Sequence, residues 1–286
     1  MRVEWVLVAA IAASACGSAP KSVEPPRLKA ALEVESDGAR RYQRGDFVLA
    51  ERRFEEAARR FAGIDDEAGG LRNRLHLART RLALGRADAA LELLGSLPAD
   101  SPRDIEALLL KGQALLALGR VAEAGQALAA AEPRCGKDCG QLPSLKILLA
   151  RTALADGRAT AARLHADAAL ELLANDEHGQ ETANAWRVLA AARLADLDPP
   201  GALAAAKAAL AIDRRLALPE KIARDWLLIG DAHRGSLRDK AFGAAVEASR
   251  AYQRGLDIAN AEGLSEISLT ASLALKAIGM QKIPAE

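Results

Sequence analysis

Aromatic side chains are scarce in this chain: three tryptophans, two tyrosines and four phenylalanines make up 3% of its 286 residues. With β-branched residues also few, an extensive sheet would have little to pack with, so strands are not expected. Charge of one sign is missing as well. Lysine and arginine number 39 against 38 acidic residues, a formal net charge of +1, and the summed field gives no pull towards nucleic acid or an anionic membrane. The recognisable catalytic signatures are absent. There is no Gly-x-Ser-x-Gly elbow, no phosphate-cradling glycine loop ending in Lys-Ser or Lys-Thr, and no His-Glu-x-x-His. The four histidines, His76, His165, His178 and His233, are scattered and have few partners near them in sequence. Each reads as a helix or loop residue rather than a ligand or base. The acidic run Asp65-Asp66-Glu67 lacks the alternating ligand spacing of a calcium loop and reads as a solvated turn. Catalysis, a cofactor and a bound metal are therefore not expected.

What the chain has in abundance is alanine and leucine, both strong helix formers. Half of its residues are hydrophobic, enough to bury a substantial core built from small aliphatic side chains. The expected fold class is all-α. Arginine pairs occur at Arg40-Arg41, Arg52-Arg53 and Arg59-Arg60. Glu55 and Glu56 stand four residues before the last pair, which is the spacing of intrahelical ion pairs on a wet face, not of a nucleic-acid patch.

The N-terminus has its own pattern. Met1-Arg2-Val3-Glu4 is a short polar start, Trp5 to Ala13 is an apolar run, and Ser14-Ala15 lead into Cys16-Gly17-Ser18. Residues 1–15 read as a secretory signal peptide, since the apolar run is too short for a comfortable transmembrane helix. Ala13-Ser14-Ala15-Cys16 resembles the lipobox of bacterial lipoproteins, with Ala13 where that family favours leucine and Glu4 diluting the charge of Arg2. The resemblance implies that Cys16 is acylated and becomes the mature first residue. Gly17, where aspartate would retain a lipoprotein in the inner membrane, implies the outer membrane, facing the periplasm. Ordinary cleavage near Ala15 and an uncleaved anchor are the alternatives. Residues 16–27, with Ser18, Pro20, Ser22, Pro25 and Pro26, read as a tether; at about 3.1 Å per residue it would reach roughly 30 Å from a membrane.

From Leu28 to 263 the chain repeats itself. Tyr42-Gln43-Arg44-Gly45-Asp46-Phe47 is followed by Ala50, Phe54 and Ala57, with Gly38 seven residues before Gly45. A left-handed glycine ends one helix, Asp46 can cap the next, and the alanines recur on one helical face. The same grammar returns around Gly85 with Ala90, around Gly119 with Gly112, Ala124 and Leu128, and around Gly157 with Ala150, Ala162, Ala166 and Ala169. A fifth unit has Trp186, Leu189, Ala190, then Asp198-Pro199 in place of the turn glycine, then Ala202, Ala206 and Ala209. A sixth has Trp226, Ile229, Gly230, a longer turn from Gly235, then Ala244, Ala248 and Tyr252. Turns at Gly45, Gly85, Gly119, Gly157, about Asp196 and about Leu237 lie 34 to 41 residues apart. Residues 264–286 hold a terminal helix, Leu264 to Gly279, expected to close the end of the stack.

These residues resemble the tetratricopeptide repeat: small residues in both helices, glycine and a polar residue at the turn, and an aromatic just after it. The resemblance implies an α-solenoid of about six helix-turn-helix units with a C-terminal capping helix. An alanine-rich bundle is the alternative, although a bundle has no reason to hold a fixed period. In the family, ligands lie in the concave groove lined by the first helix of each unit. Carrying those positions over gives Arg72, Leu75 and Arg79, then Glu106, Leu109 and Gln113, then Ile147 and Arg151, Asn184 and Arg187, and Arg224, Leu227 and Asp231. Five arginines against two acids would suit an extended peptide or protein segment carrying carboxylates. The other reading is that these arginines merely solvate the inner face. The lysine and asparagine set of the chaperone-tail-binding members is not reproduced.

Cys135-Gly136-Lys137-Asp138-Cys139 stands between Pro133 and Pro143, in the loop expected between the third and fourth units. In an oxidising compartment a small-loop disulfide between Cys135 and Cys139 is the leading reading. Half of a structural zinc set and a redox pair with one residue too many between its cysteines are the alternatives. Three functional classes follow: a lipid-anchored envelope scaffold with a protein or peptide partner, a soluble periplasmic adaptor, and an enzyme with an unrecognised site.

Overall fold

The computed structural model describes residues 25–97, 104–137, 139–175, 179–236 and 243–280. The signal peptide, Cys16 and most of the tether lie outside the described residues, as does His178. Thirteen helices and no strand occur among those described. They pair as hairpins: α1 (Pro26–Gln43) with α2 (Phe47–Ala62), α3 (Glu67–Ala83) with α4 (Ala87–Gly95), and α5 (Asp104–Ala117) with α6 (Val121–Cys135). Then come α7 (Leu142–Ala155) with α8 (Ala159–Leu172), α9 (Gln180–Ala195) with α10 (Pro199–Arg215), α11 (Pro219–Gly235) with α12 (Ala244–Ala261), and α13 (Ser265–Met280). Each helix packs on the next, and from α3 onward each odd-numbered helix also touches the following odd one. The odd helices therefore form one continuous layer and the even helices back it.

The local reasons are repetitive. In the first four hairpins a left-handed glycine closes the turn, Gly45 at φ 79°, Gly85 at 72°, Gly119 at 70° and Gly157 at 73°. The amide that follows donates to the carbonyl five residues back, Asp46 to Arg41, Arg86 to Arg81, Arg120 to Leu115 and Arg158 to Ala153. The fifth hairpin makes the same bond, Asp198 to Arg193, with Leu197 at φ 60° in the glycine's place. Asp198 caps α10 by accepting from the Gly201 amide at 3.0 Å. Asp46 stands at the corresponding place before α2, but its carboxylate takes the Arg41 guanidinium at 3.3 Å instead of an amide of the helix.

Leu197 is a strained version of a position that glycine fills elsewhere, and its side chain, 71% exposed, packs on little. Leu197→Gly should raise the urea midpoint by about 0.5–1 kcal/mol of stability, the left-handed penalty outweighing the extra chain entropy of glycine. A lowered midpoint would show that the leucine side chain stabilises the turn.

The alanines assigned to the small face, from Ala50 and Ala57 through Ala124, Ala150, Ala166 and Ala190 to Ala209, are all fully buried. Helices come close wherever an added methyl would collide, as at Gly112 against Leu128 and Gly230 against Tyr252. Three features differ from the sequence reading. α1 starts at Pro26, whose fixed φ suits the first helical position, so Pro26 and Arg27 belong to the helix and not to the tether. α6 runs through Pro133 to Cys135, because in the last turn a proline forfeits a single backbone bond. Cys135 is thus buried at a helix end, packed with Leu109, Leu128 and Leu145. Its sulfur stands 2.07 Å from that of Cys139. Lastly, Ile267 and Ala271 are the buried residues of α13, Ile267 packing on Ala223 and Ala259, while Leu269 and Leu273 face outward, so the last helix leaves apolar surface exposed.

Candidate functional site

Four odd helices frame a pocket of about 550 Å³ on the layer that they form. α5 brings Gln113, α7 brings Ser144, Ile147 and Arg151, α9 brings Glu181, Asn184 and Arg187, and α11 brings Glu220, Lys221 and Arg224. Within each helix these positions recur at three or four residues, which puts them on a single face. Six of the carried-over groove residues, Gln113, Ile147, Arg151, Asn184, Arg187 and Arg224, meet here. The others do not. Leu75 is fully buried with Leu71, Ala78 and Leu94, and Leu109 is buried in the cluster around Leu128. Both are core residues and not groove wall, because the helix turns their positions towards the backing layer. Leu227 packs with Ala223, Ala259 and Ile267.

Several charged positions are committed to neighbouring helices. Arg72 clasps Glu35 of α1 with two hydrogen bonds of 2.5 and 2.7 Å and lies over the Phe61 ring. Arg79 bonds Glu106 at 2.8 Å. Asp231 accepts from the Tyr252 hydroxyl at 2.7 Å and from Arg234 at 2.9 Å. The first two tie α3 to α1 and to α5, and Tyr252 ties α12 to α11.

Beneath the pocket lies a buried triad that the sequence did not announce. Arg187 donates from Nε to Asp225 Oδ1 at 2.8 Å, from Nη2 to Asp213 Oδ2, and from Nη1 to Asn184 Oδ1 at 2.8 Å. Both aspartates are completely buried, one on α10 and one on α11. Burial pushes the Asp225 carboxyl up to about 7; Arg187 works against this, and the neighbouring Asp213 carboxyl adds to it. Asp213 Oδ1 and Asp225 Oδ2 are buried with no donor among the described residues. A proton on Asp225 lets the two carboxyls hydrogen-bond to each other.

Above the triad the cations crowd. Arg151 keeps access to solvent, but the protein packed around it, then Arg224 and Arg187, lower its proton affinity. Lys221 is lowered by burial, then Arg187, with Arg224 and Arg151 adding and Glu220 opposing. Lys221, Glu220, Glu181 and Ser144 were not picked out from the sequence. Lys221 stands three residues before Arg224, a same-face spacing that could have found it. Among the described residues, no three His, Cys, Asp or Glu side chains converge into a metal set, and no described helix is long and apolar enough to cross a membrane.

A family profile described as tetratricopeptide repeat matches residues 48–113, the stretch from α2 into α5. Solved structures extend the likeness over most of the chain. A Rap protein complexed with Competence and Sporulation Factor superposes with a TM-score of 0.67 at 15% identity, covering 88% of this chain and 71% of its own. The apo form of RapI gives 0.60 at 15% identity, covering 87% and 70%. The fold is a TPR-like α-solenoid. BtubC (BKLC) from P. vanneervenii gives 0.55 at 18% identity over 76% of this chain and 91% of that one. No curated protein matches the sequence. In this solenoid the odd helices are the first of each repeat, so the basic pocket lies on the layer that they form.

Proposed function

We propose that this TPR-like solenoid is a non-enzymatic binding scaffold, fixed to the bacterial envelope through an acylated Cys16, whose inner face takes a protein or extended peptide segment carrying carboxylates. The observation that carries the reading is the pocket on the odd helices, where cations gather in excess of carboxylates. A Rap protein of like fold was solved in complex with another molecule, which supports a binding role for such an array. The short apolar run ending at Cys16, with Gly17 after it, supports anchoring at the outer membrane, facing the periplasm. Several acyl chains, each CH₂ contributing about 0.8 kcal/mol, would hold the protein stably on a bilayer. In that oxidising compartment Cys135 and Cys139 are paired and close the small loop after α6, contributing about 2 kcal/mol.

Two measurements test this. Mass spectrometry of the mature N-terminus should find an acylated Cys16; an unmodified terminus near it would leave a soluble adaptor. Affinity capture from detergent-solubilised envelopes should recover partners with the natural chain that an Arg151→Glu/Lys221→Glu variant loses. Recovery of the same proteins by both would show that the inner pocket is not where the partner binds. Arg79 and Arg187 are unsuited to this reversal, because their carboxylate partners would be left unpaired.

A further inference from the structure

The charges of the pocket do not close among themselves. Arg224 is held by Glu220 at 3.0 Å, Arg187 by the two buried aspartates, and Glu181 receives the Ser144 hydroxyl. Arg151 and Lys221 have no hydrogen-bond or ion-pair partner among the described residues, and they are repelled by Arg187 and Arg224. Like charges held together cost free energy unless a counter-charge relieves them. Four cations and two carboxylates line the cavity. With one proton on the aspartate pair beneath, a single positive charge remains in excess, which fits one monoanion better than a dianion.

Building on the scaffold reading above, we infer that this pocket seats one carboxylate of the partner between Arg151 and Lys221, and that the Asp213–Asp225 pair beneath takes up a proton from solvent as the carboxylate arrives. Guanidinium and ammonium donors are suited to a carboxylate, and Gln113 and Asn184 bring amides to the same wall. Arg187 is the link. Its guanidinium lies between the pocket above and the two carboxyls below. An anion entering above competes for its field, so Asp225 holds its proton more tightly. By reciprocity the protonated pair binds the anion more tightly, and affinity rises as pH falls.

The groups around Asp225 are consistent with this assignment. α9 presents Arg187 and α10 presents Asp213, while Lys221 and Arg224 stand on its own helix. α12 meets α11 through Tyr252, whose hydroxyl donates to Asp231, and through Arg254 over the Trp226 ring. α13 meets it through Ile267 beside Ala223. Burial pushes the Asp225 carboxyl up to about 7, which places the link near neutral pH.

The test uses N-acetylglutamic acid α-amide as probe and N-acetylglutamine α-amide as the neutral control, in low-chloride buffer. Side-chain NMR signals of Arg151 are followed at about pH 6 and about pH 8, where the probe carboxyl is ionised throughout. The glutamate compound should shift Arg151 and the glutamine compound should not. Its affinity should be three- to tenfold higher at the lower pH, tenfold corresponding to about one unit of pKa change on binding. Arg151→Gln and Lys221→Gln should each abolish the shift, with thermal melting confirming that the variants fold. Asp225→Asn should make the affinity the same at both pH values.

Equal response to the neutral compound, or no response at millimolar probe, would overturn the carboxylate seat. Equal affinity of the natural chain at the two pH values would overturn the proton link. Neither result touches the scaffold reading, which fails separately if the natural chain captures no partner from envelopes; capture that survives Arg151→Glu/Lys221→Glu would place the partner elsewhere and overturn the seat as well.

Discussion

Arg187→Leu should lower the free energy of unfolding by about 3–5 kcal/mol, the cost of leaving buried charge without its partner. The expectation follows from what remains behind. Asp213 and Asp225 are both fully buried, and Arg187 is the cation that faces both. Leucine fills part of the space and satisfies none of the carboxyl oxygens. The loss should also depend on pH. In the natural chain Asp225 has its proton affinity raised in the folded state, so the folded protein holds more protons than the unfolded one between the ordinary aspartate range and about 7. Stability contributed by that group therefore falls as pH rises through this window and is fully retained only below it. Without Arg187, which lowers the Asp225 value, the fall becomes steeper and extends to higher pH. Urea denaturation followed by circular dichroism at about pH 5 and about pH 8 checks this, and the variant should lose more at the higher pH. Replacing all three members by apolar residues of similar volume should recover most of the loss, since an absent triad leaves no orphan. Because a solenoid unfolds unit by unit, the effect should appear first as local opening of α9 to α11. Equal stability of Arg187→Leu and the natural chain would mean that water reaches the aspartates.

The parts of this fold that could be read from the sequence are those where a single residue type is forced by space or by backbone angle. Gly45, Gly85, Gly119 and Gly157 mark turns because a left-handed φ favours glycine. Ala124, Ala166 and Ala206 mark crossings because nothing larger fits where helix axes approach. The fifth turn was legible only through Asp198-Pro199, since Leu197 takes the left-handed angle against its preference. Side-chain destinations were less legible. Long arginines choose among acids in the adjoining repeat, at separations of 37 residues for Arg72 and Glu35, 27 for Arg79 and Glu106, and 38 for Arg187 and Asp225. The repeat period therefore sets where a partner can be, but rotamer and register decide which arginine is taken. Family positions could not separate Arg151, left without a partner, from Arg79, which is paired. Nor could they show that Leu75 and Leu109 turn into the core. Those assignments depend on small differences in helix rotation, and residues one position apart differ by 100° around the axis.

Two glycines inside helices should respond in opposite directions to the same methyl group. At Gly230 of α11 an added Cβ would lie 2.5 Å from Cε1 and 2.6 Å from Cδ1 of Tyr252. That ring cannot yield easily. Tyr252 is 1% exposed, and its hydroxyl is held by Asp231 at 2.7 Å. Overpacking of this kind costs about 1–3 kcal/mol, more than the helix propensity of about 1 kcal/mol that alanine gains over glycine. Gly230→Ala should therefore destabilise, and Gly230→Val, with two further methyls, should unfold the sixth repeat. At Gly125 of α6 the nearest atom to an added Cβ is Thr152 Cγ2 at 3.7 Å, an ordinary contact. Gly125→Ala gains propensity without a clash and should stabilise by about 0.5–1 kcal/mol. Thermal melts of the two alanine variants decide it, and shifts of the same sign would be incompatible with a close α11–α12 crossing built on Gly230. A Gly230→Ala/Tyr252→Leu pair supplies the internal check. It removes the ring that is struck, so the double variant should be more stable than the sum of its two single changes predicts, by a coupling of about 0.5–3 kcal/mol.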